Sequence, residues 1–146
     1  VRERSHAEVE NQDEVRLAVP TRPEYLGLAR VTAGGIASRL GFSFEQVEDL
    51  RLAIDEMCFG LTGSTGGDGI LEVHFLLGTS ALTVHGEGHF SAPVRMQLSE
   101  LSEVILDALV DEHWLLNGAA GPQFQLVKKH SPSGSPTKSA RSGEAL

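Results

Sequence analysis

Apolar side chains at Val47, Leu50, Ile54, Met57, Cys58 and Leu61 recur at helical spacing and mark the buried face of a long helix. Ser43 followed by Gln46 supplies a capping box at its start. Beyond the glycine-rich segment GSTGGDG (Gly63 to Gly69), which reads as a loop, the pattern changes to that of strands. Ile70–Leu77 and Ala81–His85 are two such runs, joined by a turn at Gly78–Thr79–Ser80. A long helix followed directly by paired strands has few ways to bury both apolar faces. The simplest is to lay helices on one side of a sheet.

The flanking segments extend that plan. Val15, Leu17 and Val19 alternate with polar or small residues and predict a first strand. Thr21 with Glu24 reads as a capping box and Pro23 suits a first turn, so a helix is expected from Arg22 to Leu40, stopped by Gly41. Leu101, Val104, Ile105, Ala108 and Leu109 mark a third helix, capped by Ser99. His113–Leu116 and Phe124–Lys128 read as two closing strands with Asn117–Gly121 between them. The order βααββαββ predicts an α/β fold, a two-layer sandwich with a mostly antiparallel, mixed sheet. The first dozen residues are polar and aperiodic, and from His130 onward no large apolar residue occurs until Leu146. Residues 1–12 and 131–146 are therefore expected to be flexible tails around a domain spanning 13–130.

At 146 residues the chain fits one domain with a real core. Residues 1–127 carry 19 acidic and 8 basic side chains, whereas residues 128–146 carry 1 and 4. An acidic body argues against direct nucleic-acid binding and favours either a basic partner or plain solubility. No apolar run approaches the ~20 residues of a membrane span, and VRERSHAEVENQDE lacks the apolar stretch of a signal peptide. The single cysteine, Cys58, has no internal disulfide partner, and a cytoplasmic protein is expected.

Three phrases add a resemblance: RLAVPTRPEYLGLAR, ASRLGFSFEQVEDLRLAIDEMC and LDALVDEH. Together, over roughly Glu14 to Lys129, they resemble the GHKL (Bergerat-fold) ATPases, specifically anti-sigma factors of the RsbW type, and among these the actinobacterial sigma-F-type proteins. The resemblance implies the Bergerat fold of histidine-kinase-type ATPases and a bacterial regulator that sequesters an alternative sigma factor. It further implies a homodimer joined through the first strand and helix. Usual members are serine kinases that use ATP and Mg²⁺ to phosphorylate a small STAS-domain antagonist.

The matching positions in this chain depart from the family's chemistry. Glu56 stands where the family has its catalytic base, but Gly60 stands where it has a metal-binding Asn, and glycine has no oxygen to offer. The adenine-reading Asp is matched by Gly86, or by His85 in a shifted alignment, and Glu87 falls on the wrong side of the expected turn at Gly86–Gly88. The connector Ser91–Leu98 is short, and no glycine lies between Gly88 and Gly118 to cradle phosphate at a helix N-terminus. Gly121–Pro122–Gln123 only partly matches the last motif. Gly60, Gly86, Gly88 and Gly121 are thus degraded nucleotide-site positions, Glu56 is vestigial, and no cofactor is expected. The alternatives are an active serine kinase with Mg²⁺ and ATP, and a module that binds another regulatory protein.

Arg22, Glu24, Arg30 and Arg39 of the first helix are the expected partner-binding residues. No metal site is expected: His85 and His89 are placed at a strand end and in a turn, without an accompanying cysteine. Asp55–Glu56 has a second reading as the solvated edge of a buried helix. Cys58 keeps the helical phase of Ile54 and Leu61 and reads as a core thiol rather than a redox sensor. Gly34–Gly35 in mid-helix marks close helix packing or a partner surface.

Overall fold

The computed structural model describes residues 12–62 and 68–130. Residues 1–11 and 131–146, the expected tails apart from Gln12, and the loop positions 63–67 lie outside the described residues. In chain order the elements are β1 (Asp13–Pro20), α1 (Pro23–Arg39), α2 (Phe44–Thr62), β2 (Gly69–Leu77), β3 (Ala81–Phe90), α3 (Glu100–Leu109), β4 (Glu112–Gly118) and β5 (Gly121–Lys129). This is the βααββαββ order read from the sequence. The strands lie in the order β1-β2-β3-β5-β4. All four pairings are antiparallel, so the parallel component of a mixed sheet is absent among the described residues.

Alternation divides the sheet into two faces. Leu71, Val73 and Phe75 of β2, Leu82 and Val84 of β3, and Phe124 and Leu126 of β5 are buried under the helices. The helical residues Val47, Leu50, Ile54, Met57, Cys58 and Leu61 are all buried with them in one core. Each such side chain contributes about 1.5–3 kcal/mol when fully buried. The helices α1 and α2 approach closely at Gly34, where a Cβ would stand 3.1 Å from Arg51 Cδ. The opposite face carries Glu14, Glu72, His74, His85, Glu87, His89 and Trp114 in alternate strand positions.

The helix ends show which local signals act. Gln46 N–H donates to Ser43 Oγ at 3.1 Å, and Ser43 N–H donates to Gln46 Oε1 at 2.9 Å, the reciprocal capping box expected. Ser99 caps α3 by accepting from Ser102 N–H at 3.0 Å. After α1 the chain turns at Gly41, whose φ of +89° lets its N–H reach the Ser38 carbonyl and the Phe42 N–H reach that of Ala37. The Thr21–Glu24 box is not formed. Arg22 is the N-cap, without a side-chain hydrogen bond, and Thr21 instead donates its N–H to the Gly69 carbonyl at 3.0 Å.

Three boundaries differ from expectation. β3 runs five residues beyond His85, through Gly86 and Gly88, because Gly86 pairs with both β2 and β5 and Gly88 pairs with Leu71 of β2. The expected turn at Gly86–Gly88 does not exist, and His85 and His89 both lie within β3. Likewise β4 and β5 close to a tight hairpin at Ala119–Ala120, where Gly121 takes φ +127°. His130, grouped by composition with the polar end of the chain, packs on the domain. Its ring stacks on Phe42 at 4.7 Å between centroids, and its Nε2 lies 3.1 Å from the Gly41 carbonyl.

Candidate functional site

The α2 helix presents Asp55 and Glu56 in succession, and both are engaged rather than merely solvated. Asp55 accepts from Arg30 of α1 at 2.9 Å. Glu56 Oε2 accepts from the Ser102 hydroxyl at 2.5 Å, which ties α2 to the first turn of α3. Ser102 is itself buried, and its Oγ also accepts from Ser99 Oγ at 3.1 Å. The α3 N-terminus, where a helix dipole would favour an anion, therefore already faces the Glu56 carboxylate and carries Glu100 and Glu103 in its own first turn.

One turn beyond Glu56, Gly60 lies under the connector from β3 to α3. A Cβ at Gly60 would stand 3.2 Å from Met96 Cε and 3.6 Å from the Gln97 carbonyl oxygen. Met96 is 1% exposed, and its position is fixed from β4. Met96 N–H donates to Asn117 Oδ1 at 2.8 Å, and Asn117 Nδ2–H donates to the Met96 carbonyl at 2.9 Å. A cavity of about 300 Å³ remains beside this plug, lined by Phe59, Gly60, Arg95, Gln97, Ser99 and Ser102 among others.

The other positions expected from the sequence to face a nucleotide sit deeper. Gly86 is buried on the helix side of β3, and a Cβ there would fall 2.3 Å from Phe124 Cζ. At Gly88 a Cβ would meet Phe90 at 2.7 Å and Pro122 at 3.2 Å, and at Gly121 the Gly88 carbonyl at 2.4 Å. These three glycines cluster because β3 and β5 pair there and aromatic rings lie over the backbone. Glu87 points to the opposite, open face, away from Glu56. The structure thus brings Gly86, Gly88 and Gly121 together, and sets Glu56 with Gly60 at the mouth formed by the connector.

Among the partner residues, Arg22, Glu24 and Arg39 are exposed as expected. Arg30 is not a free exposed charge: it is half-buried and held by Asp55. Arg39 donates to the Gly35 carbonyl of its own helix at 3.0 Å. The solvent side of α1 instead shows Leu28 (47% exposed) and Val31 (58%), which charge-based reading missed although their spacing of three was visible. Met96, Asn117 and Ser102 were also missed, since no local pattern links a connector methionine to a strand asparagine 21 residues later. Burial pushes the Cys58 thiol up to about 12, with the Asp55 charge adding to the effect, consistent with a core thiol.

Comparisons with known proteins fit this architecture. The chain is 38% identical over 73 residues to the serine-protein kinase RsbW of Bacillus pumilus, covering 47% of this chain and 45% of that protein. It is 50% identical over 46 residues to RsbW of Oceanobacillus iheyensis (32% of this chain, 29% of that protein), and 44% over 48 residues to RsbW of Bacillus subtilis (33% and 30%). The matched stretch spans less than half the length of each of these relatives. No family model matches the chain. Over these stretches the chain is similar to serine-protein kinases RsbW, the likeness that its own residues indicated.

Proposed function

We propose that this chain is a regulator of the anti-sigma type that sequesters an alternative sigma factor by surface binding and exchanges it for a STAS-domain antagonist. It does so without phosphoryl transfer. The observation that carries this reading is the space beside Gly60, where the family's metal-ligating side chain would project and where Met96, clamped by Asn117, is packed instead. The residues present fit Mg²⁺ and ATP poorly. Gly60 brings no oxygen, the backbone at Gly86 lies against Phe124, and carboxylates crowd the α3 N-terminus where phosphates would approach.

Surface features support the binding half. β1 is an edge strand and α1 displays Leu28 and Val31, a combination suited to a homodimer seam or a protein partner. No described helix is long and apolar enough to cross a membrane, and the acidic body disfavours nucleic acid. We place its action in the cytoplasm on those grounds and on the family resemblance.

A second reading, an active serine kinase, draws on the retained Glu56 and on relatives that carry the name serine-protein kinase. Calorimetric titration with ATP, with and without Mg²⁺, separates the two. The proposal expects no saturable heat up to about 1 mM nucleotide, equivalent to less than about 4 kcal/mol of binding. Micromolar binding that tightens with Mg²⁺ would overturn it.

A further inference from the structure

The open face of the sheet carries a group of side chains that partner binding leaves unused. The β2–β3 register sets Glu72 directly opposite Glu87 and His74 directly opposite His85. Like charges facing each other across strands destabilise a sheet, and a cation between the two carboxylates would relieve that repulsion. His89 Nε2 lies 3.4 Å from Glu72 Oε1 and 3.6 Å from Glu87 Oε1. His74 Nε2 is 3.8 Å from Glu72 Oε2, and His85 Nε2 is 3.3 Å from Glu87 Oε2. One donor atom each from Glu72, His74 and Glu87 falls within 4.8 Å of the others.

The surroundings are those of a metal ligand set. His74 Nδ1 is 2.7 Å from Glu14 Oε2 on β1, so Nδ1–H donates to that carboxylate and the Nε2 lone pair is left on the side of Glu72. A carboxylate behind a histidine in this way fixes the tautomer and raises the basicity of the ligating nitrogen. Arg16, which pairs in register with His74, has its own charge taken up by Glu14 at 3.1 Å.

We propose that Glu72, His74 and Glu87, with His89 as a fourth donor, form a binding site for a divalent transition metal of the zinc class. Imidazole nitrogen with carboxylate oxygen suits such an ion better than Ca²⁺ or Mg²⁺. The bonds would be about 2.0–2.2 Å long, to side chains that are at least partly exposed on two interior strands.

The test uses the full chain without an affinity tag, titrated with ZnCl₂ by calorimetry at about pH 7.5. One equivalent should bind, and Glu72→Gln or His74→Gln should each weaken it by at least tenfold. Glu14→Gln should weaken it about 10–100-fold through the outer hydrogen bond. His113→Gln, beside Glu103 at 2.9 Å on the other face, should leave it unchanged. The sole tryptophan, Trp114, lies 5.8 Å from His85 between ring centroids, so Ni²⁺ should quench its fluorescence in the parent and not in folded His74→Gln. No saturable zinc binding up to about 1 mM, or binding indifferent to Glu72 and His74, would overturn the proposal and leave an ion-pair network only.

Discussion

At Gly60 the question of chemistry comes down to what a single missing side chain leaves behind. Its Cβ position is 3.2 Å from the end of a methionine, a flexible thioether able to yield by a few tenths of an ångström. Gly60→Asn should therefore fold, with stability altered by no more than about 1 kcal/mol. It should still show no Mg²⁺-dependent ATP binding by calorimetry, because Gly86 and the α3 N-terminus remain as they are. Cys58, two residues earlier, gives a pH prediction. Its folded pKa of about 12 exceeds the ordinary 9.0, so its contribution is complete below pH 9.0 and is lost as pH rises towards 12. Over that window stability should fall by up to about 1.4 kcal/mol per pH unit from this group alone. Urea unfolding should show a shallower alkaline decline in Cys58→Ala, whose baseline is lower by a few kcal/mol from the cavity it creates.

At the scale of elements, two capping signatures of equal appearance behave differently. Ser43 and Gln46 exchange two hydrogen bonds at the start of α2, whereas Thr21 is drawn into the sheet by the Gly69 carbonyl and its buried Oγ1 has no partner among the described residues. Ser43→Ala should cost about 1 kcal/mol in urea unfolding. Thr21→Val, which keeps the shape and removes an unsatisfied hydroxyl, should cost nothing measurable. An equal loss at both sites would show that the sequence pattern, and not its tertiary setting, governs the helix starts.

For the molecule as a whole, the layered fold leaves three distinct surfaces: the connector mouth at Glu56, the outer side of α1, and the open face of the sheet. If α1 and the β1 edge form the partner surface, Leu28→Asp with Val31→Asp should leave the melting temperature near that of the parent, since both side chains are largely exposed. The pair should weaken association, either of two copies or with an alternative sigma factor, by at least about 2 kcal/mol in analytical ultracentrifugation or pull-down titration. Unchanged association in both assays would move the partner surface elsewhere.

The sequence by itself determined the element order, the core face of α2, the caps at Ser43 and Ser99, and the stop at Gly41, because each depends on periodicity or on residues three or four apart. It also carried the absence of any side-chain oxygen at Gly60, since a side chain that is not encoded cannot be supplied by folding. Only tertiary structure decided the rest. Strand pairing, with β2 at Gly86 and Gly88 and with β5 at Gly86, carried β3 through two glycines that locally read as a turn, and placed His85 and His89 on one face with Glu72 and Glu87. Folding likewise brought Asn117 to Met96, Ser102 to Glu56 and Glu14 to His74, pairs separated by 21, 46 and 60 residues. Contacts over such distances depend on how whole elements pack and on strand register, and neither leaves a local trace in the chain.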